Sequence, residues 1–109
     1  MRLSYVMKFV ADMDKAVAFY RDTLGLTLRF QSPEWSEFDT GHTTLALHKT
    51  RDPAQAGSVE VGFGVDDMDA FHAKASAAGV QFPRPPREEH GQKLAQILDS
   101  EGSPVSVSG

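Results

Sequence analysis

A chain of 109 residues has room for one compact domain with its own core and none for a second independent domain. Its formal charge of -4 argues against phosphate-backbone binding, which needs clustered Lys and Arg, so nucleic acid is not an expected target and neutral or cationic partners are favoured. The lack of cysteine removes disulfides, thiol catalysis and Cys-ligated zinc together, and no apolar run reaches the roughly 18 residues of a membrane span or forms a leader, so a cytoplasmic protein is expected with no membrane partner.

Residues 2–10 read as a strand. Asp12 then caps a helix whose apolar Met13, Ala16, Val17, Phe19, Tyr20 and Leu24 recur at helical spacing until Gly25 stops it. Three strands are expected at 26–31, 34–40 and 43–50, the last two joined by a tight turn at Gly41-His42. After a polar linker over 51–57 come a strand at 58–65, a helix over 67–78 ending at Gly79, and further strands. Pro83-Arg84-Pro85-Pro86-Arg87 reads as a loop between two of these, too short for a polyproline ligand.

The order strand, helix, three strands occurs twice, and identity echoes with it. Val10-Ala11-Asp12-Met13-Asp14 returns 55 positions later as Val65-Asp66-Asp67-Met68-Asp69. Phe38-Asp39-Thr40 before Leu45-Ala46-Leu47 returns at a spacing of 60 as Leu98-Asp99-Ser100 before Val105-Ser106-Val107. Two copies imply a duplicated, pseudo-symmetric domain rather than an open repeat array, with modules at about 1–52 and 58–109. Function is then expected where the halves face each other.

Alternation assigns faces to the strands. Val59, Val61, Phe63 and Val65 share a helix-packing face, which leaves Glu60, Gly62 and Gly64 on an open one with little side-chain bulk. By the same reading Val105 and Val107 turn inward and Ser106 outward, and Leu45 and Leu47 turn inward while Ala46 and His48 face out. A two-residue turn at Gly41-His42 pairs Thr40 with Thr43, Glu37 with Ala46 and Trp35 with His48. One face thus gathers Trp35, Glu37 and His48, with Tyr5, Met7 and Phe9 as either core or a ligand-contacting wall. Among the other histidines, His42 in a turn and His72 on a helix are expected to face solvent, and His90 to sit in a loop.

The pattern resembles the glyoxalase/bleomycin resistance/dioxygenase family, the vicinal oxygen chelate superfamily, over the whole chain. The resemblance rests on Phe9-Val10-Ala11-Asp12 followed by Ala18-Phe19-Tyr20-Arg21-Asp22-Thr23-Leu24-Gly25-Leu26, on Phe38-Asp39-Thr40-Gly41, and on Asp99-Ser100-Glu101-Gly102 before the final strand. It implies an α+β fold of two βαβββ modules in tandem, whose curved mixed sheet encloses a crevice, and a homodimer. It also implies metal ligands on the first and last strand of each module, where this chain has Tyr5, Ala46, Glu60 and Ser106. Only Glu60 is a good ligand among them, since a phenol, a methyl group and a serine hydroxyl do not hold a divalent ion against water.

Two functions follow. The first is a metal-independent binder of the bleomycin-resistance type, sequestering an aromatic or cationic, antibiotic-like small molecule against Tyr5, Met7, Trp35, Glu37, His48, Glu60 and Ser106. No cofactor is then expected. The alternative is a lyase, isomerase or dioxygenase that uses Glu60 as a catalytic general base or an atypical divalent metal (Ni, Zn, Mn or Fe) at His48, Glu37 and Glu60.

Overall fold

The computed structural model describes all residues, 1–109, as an α+β fold of two tandem βαβββ modules. Strand β1 (Arg2–Val10), helix α1 (Met13–Ala18), and strands β2 (Thr27–Gln31), β3 (Trp35–Asp39) and β4 (Thr44–Lys49) make the first. Strand β5 (Val59–Gly64), helix α2 (Met68–Ala77), and strands β6 (Arg84–Glu89), β7 (Gln92–Leu98) and β8 (Pro104–Ser108) make the second. Compactness divides the chain slightly differently, into Ser4–Glu60 and a unit of Val61–Gly109 with Met1–Leu3. No helix is long and apolar enough to cross a membrane.

In the first module the strands lie in the order β2-β3-β4-β1, with β4 parallel to β1 and the other pairs antiparallel. The second has the matching order β6-β7-β8-β5, with β8 parallel to β5. The parallel registers repeat too: Met7 opposes Ala46 in one module and Gly62 opposes Ser106 in the other, which are the repeat spacings of 55 and 60. The antiparallel partner slips by one. Phe38 opposes Leu45 while Ile97, not Leu98, opposes Val105, because the second turn holds one more residue. A one-residue slip reverses faces, so Ile97 is the residue that packs into its core as Phe38 does.

Both helices start on the aspartates of the repeat. Asp12 accepts a hydrogen bond from the Lys15 N–H at 3.1 Å and Asp67 one from the Ala70 N–H at 3.0 Å. The helical periodicity of the first continues beyond α1 as a π turn, Phe19–Thr23, in which the Leu24 N–H reaches back to the Phe19 carbonyl at 3.1 Å. That wider turn carries Phe19 and Leu24 out to solvent, against the expectation that both join the buried stripe, while Tyr20 stays on the core. Met13, Val17, Phe38 and Leu47 form that core; Val65, Met68, Ala95 and Val107 form its counterpart in the second module.

Two other expectations are corrected. The proline-rich stretch is not a loop but most of β6, an edge strand whose pairing with β7 is irregular between Arg84 and Arg87. Proline lacks a donor, and an edge strand with a slipped ladder is where that costs least. His72 is half-buried rather than solvent-facing, its ring 4.6 Å from that of Phe82. His90, with φ of 52°, shares with Gly91 the two-residue turn of the β6–β7 hairpin.

Candidate functional site: an aromatic face on the first module

The β3–β4 register places Trp35 opposite His48 and Glu37 opposite Ala46, as the alternation predicts. Because β4 also pairs with β1, Ala46 lies beside Met7 and His48 beside Phe9. Met7, Phe9 and Ala46 are buried and form a small apolar floor, on which Tyr5 and Trp35 pack. The rings run in sequence across it: Tyr5 to Trp35 at 6.2 Å, Trp35 to His48 at 5.7 Å and His48 to Phe9 at 5.3 Å between centroids. The first two pairs are edge-to-face, the arrangement favoured by aromatic quadrupoles. Of the two readings left open for the Tyr5, Met7 and Phe9 stripe, core describes Met7 and Phe9, and only Tyr5 is partly exposed.

Polar groups edge this face. Trp35 Nε1 donates to Glu37 Oε2 at 2.8 Å, and Arg29 Nη2 donates to Glu37 Oε1 at 2.9 Å and to Thr44 Oγ1 at 2.6 Å. Both carboxylate oxygens of Glu37 are therefore engaged and its charge is matched by a guanidinium, so Glu37 is not the open acceptor for a cation that the sequence suggests. Arg29 escaped sequence reasoning because β2 carries a bulge between Leu28 and Phe30, and alternation cannot foresee one. His48 is exposed, and its Nδ1 lies 2.8 Å from the Lys49 carbonyl. A carbonyl only accepts, so Nδ1 carries a proton there and Nε2 is the acceptor of the neutral ring.

Glu60 departs from its expected setting. It is 7% exposed, whereas Val59 is 52% exposed. The Gly57 N–H donates to the Phe9 carbonyl and the Phe9 N–H to the Ser58 carbonyl, which lays the residues leading to Glu60 alongside β1. Gly62 and Gly64 are likewise buried; the Arg2 guanidinium covers Gly64, 3.0 Å from where a Cβ would stand, and pairs with Asp66. The room left by Gly64 is filled by the chain itself. Ser106, half-buried between the buried Val105 and Val107, opposes Gly62 and Gln96 in the second unit.

The family's metal positions do not fit a divalent cation. Ala46 supplies no donor and is fully buried, and Tyr5 and Ser106 offer neutral hydroxyls. The shifted set of Glu37, His48 and Glu60 does not gather either; no group of three His, Asp or Glu side chains converges as ligands anywhere in the chain. An open cleft of about 400 Å³ on the first module is lined by Asp12, Met13, Asp14, Gln31, Ser32, Pro33 and Lys49. None of the sequence-selected site residues lines it. Its polar groups are largely spent on the fold: Asp12 caps α1, Lys49 Nζ donates to the Ala11 carbonyl, and Gln31 donates to Asp14 at 3.4 Å.

Two βαβββ modules in tandem, each with its last strand parallel to its first, define a fold of the glyoxalase type. The chain belongs to the Glyoxalase/Bleomycin resistance protein/Dioxygenase superfamily, whose family model matches residues 2–107. Among curated proteins it is similar to the uncharacterized protein YraH of Bacillus subtilis (strain 168), at 25% identity over 124 aligned positions, covering 98% of this chain and 97% of that protein. Among solved structures it resembles methylmalonyl-CoA epimerase from Mycobacterium tuberculosis, with TM-score 0.80 and 19% identity over 97% of this chain and 85% of that one. It also resembles a glyoxalase/bleomycin resistance protein/dioxygenase superfamily member from Vibrio splendidus 12B01, with TM-score 0.73 and 14% identity over 98% and 97%. At such identities the likeness is one of fold.

Proposed function

We propose that the protein binds a small planar aromatic compound, without a metal, on the face made by Tyr5, Met7, Trp35 and His48, and sequesters it rather than transforming it. The observation that carries this reading is the run of rings from Tyr5 through Trp35 to His48 over the buried floor of Met7 and Ala46. Rings set nearly at right angles offer both flat and edge surfaces to a planar guest, and sequestration needs only such a surface and a few polar anchors.

Glu60 favours a second reading. A carboxylate only 7% exposed is a resource for proton transfer, and one of the solved folds that this chain resembles is an epimerase. That likeness is analogy, because one fold hosts many chemistries.

Calorimetric titration with uncharged naphthalene-2-carboxamide tests the first reading. Saturable binding is expected, weakened about three- to tenfold by Trp35→Phe, which exchanges the indole for a smaller ring and removes its N–H, with unchanged circular dichroism. Glu60→Gln should weaken it too if Glu60 contributes to the same site. Unchanged affinity in both variants would remove the site assignment. Turnover of any substrate that Glu60→Ala abolishes in a folded protein would instead put the enzyme reading first.

A further inference from the structure

The aromatic face has a charged corner whose donors outnumber its acceptors. The bulge in β2 leaves Arg29 between Leu28, which opposes Phe38, and Phe30, which opposes Glu37. Phe30 is 51% exposed, an apolar ring left in solvent at the rim of the face that carries Trp35. Arg29 is held in place by Nη2 alone, through Glu37 at 2.9 Å and Thr44 at 2.6 Å. Its Nε and Nη1, with three N–H groups between them, have no protein acceptor, and about half of the side chain is open to water.

We infer that Arg29 is the anchor for an anionic group on the ligand, and that the class of compound taken by this face is a planar aromatic carboxylate. This rests on the aromatic-face reading above and narrows it. Two physical arguments select an anion over the cation that the chain's charge of -4 suggests. Glu37 already holds a guanidinium on one oxygen and an indole N–H on the other, so an incoming cation meets a carboxylate whose charge is matched. An incoming carboxylate displaces nothing but water, since guanidinium N–H groups remain to be met. The net charge acts weakly at this point, because charges more than about 8 Å away are screened at physiological ionic strength.

The arrangement is also pre-organised. A free arginine loses rotamer freedom on gripping an anion, but the Arg29 guanidinium is already fixed by Glu37 and Thr44, so less is lost on binding. The Glu37 carboxylate joins that guanidinium to the Trp35 indole N–H, so a ring against Trp35 with a carboxylate at Arg29 spans one bonded chain of side chains. Phe30 supplies apolar cover on the same strand segment.

The test compares naphthalene-2-carboxylate with naphthalene-2-carboxamide, which share a ring system and differ in charge, by calorimetry on the intact protein. Wild type should prefer the carboxylate by about three- to tenfold, as expected of one charge-assisted hydrogen bond at a half-exposed site. Arg29→Gln should abolish that preference, and Arg29→Lys should keep part of it. Added salt should weaken only the carboxylate. Equal binding of the two probes by wild type would overturn the role of Arg29 and leave the aromatic face standing. Binding of neither probe would overturn both, and a carboxylate preference that persists in Arg29→Gln would place the anchor elsewhere.

Discussion

The indole Nε1 of Trp35 donates to Oε2 of Glu37 at 2.8 Å, two residues along the same strand and therefore on the same face. Glu37 is a hinge between two donors, since Arg29 occupies its other oxygen. Glu37→Ala should release both, leaving the indole N–H to water and the guanidinium unpaired. The expected results are a red shift of the emission from the chain's one tryptophan and a stability loss of about 1 kcal/mol, the range for a partly exposed charged hydrogen bond. Fluorescence spectra with urea unfolding check this; unchanged emission would show that the hydrogen bond does not hold the ring in solution.

Phe38, one position along, faces the other way and has no exposure at all. It packs with Met13, Val17 and Leu47, its ring 5.9 Å from that of Tyr20. Phe38→Ala should cost about 3–5 kcal/mol through lost burial and a residual cavity. That is a large share of the roughly 5–15 kcal/mol that holds a domain together. The urea midpoint should fall steeply. Trp35→Phe, by contrast, should unfold close to wild type, and this contrast separates the core face of β3 from the face proposed to take the ligand.

Those two faces were legible because alternation and a short turn fix register: Trp35 opposite His48 follows from the Gly41-His42 turn and the period of two. Arg29 was not legible, because a bulge inserts a residue without changing the composition of its strand. The strand in 84–89 was hidden for a related reason. Prolines argue against an interior strand, and no local pattern tells that this one lies at an edge. Glu60 shows a third limit: alternation groups Glu60, Gly62 and Gly64 on one face, yet whether a face is open depends on distant chain such as Arg2, which fills the space over Gly64.

Surface ion pairs give the protein a definite pH profile. The hydrogen bond from Arg51 holds the Glu34 carboxyl below its ordinary value, partly opposed by desolvation, and that from Arg21 does the same for Asp22. A carboxylate with a lowered folded pKa contributes stability above its unfolded pKa and loses it as pH falls through the folded one. Lys93 is raised by its hydrogen bond to Asp69, so its contribution is present below its unfolded pKa and lost as pH rises through the raised value. Stability should thus be flat around neutrality, with small losses at the acid and alkaline edges that added salt diminishes. An NMR titration of the Glu34 carboxyl in wild type and in Arg51→Gln gives the check. The variant should titrate at higher pH, and coincident curves would remove Arg51 as the cause.

Two glycines that look alike in the sequence should respond oppositely to alanine. Gly91 has φ of 81° at the tip of the β6–β7 hairpin, where a Cβ has open space but the backbone conformation is one that L-residues resist. Gly91→Ala should therefore cost about 1 kcal/mol or more. Gly64 lies in β5 without a positive φ, and its nearest obstacle is the far end of the Arg2 side chain, 3.0 Å from the added carbon. An exposed arginine can swing aside, giving up only its surface pair with Asp66 at 3.2 Å. The gain in backbone propensity on replacing a strand glycine is of the same small order. Gly64→Ala should then lie within about 0.5 kcal/mol of wild type. Combining it with Arg2→Ala, measured by urea unfolding, should turn it stabilising, because the steric cost is gone and the propensity gain remains. A Gly64→Ala penalty that survives removal of Arg2 would show that something other than this side chain closes the face above β5.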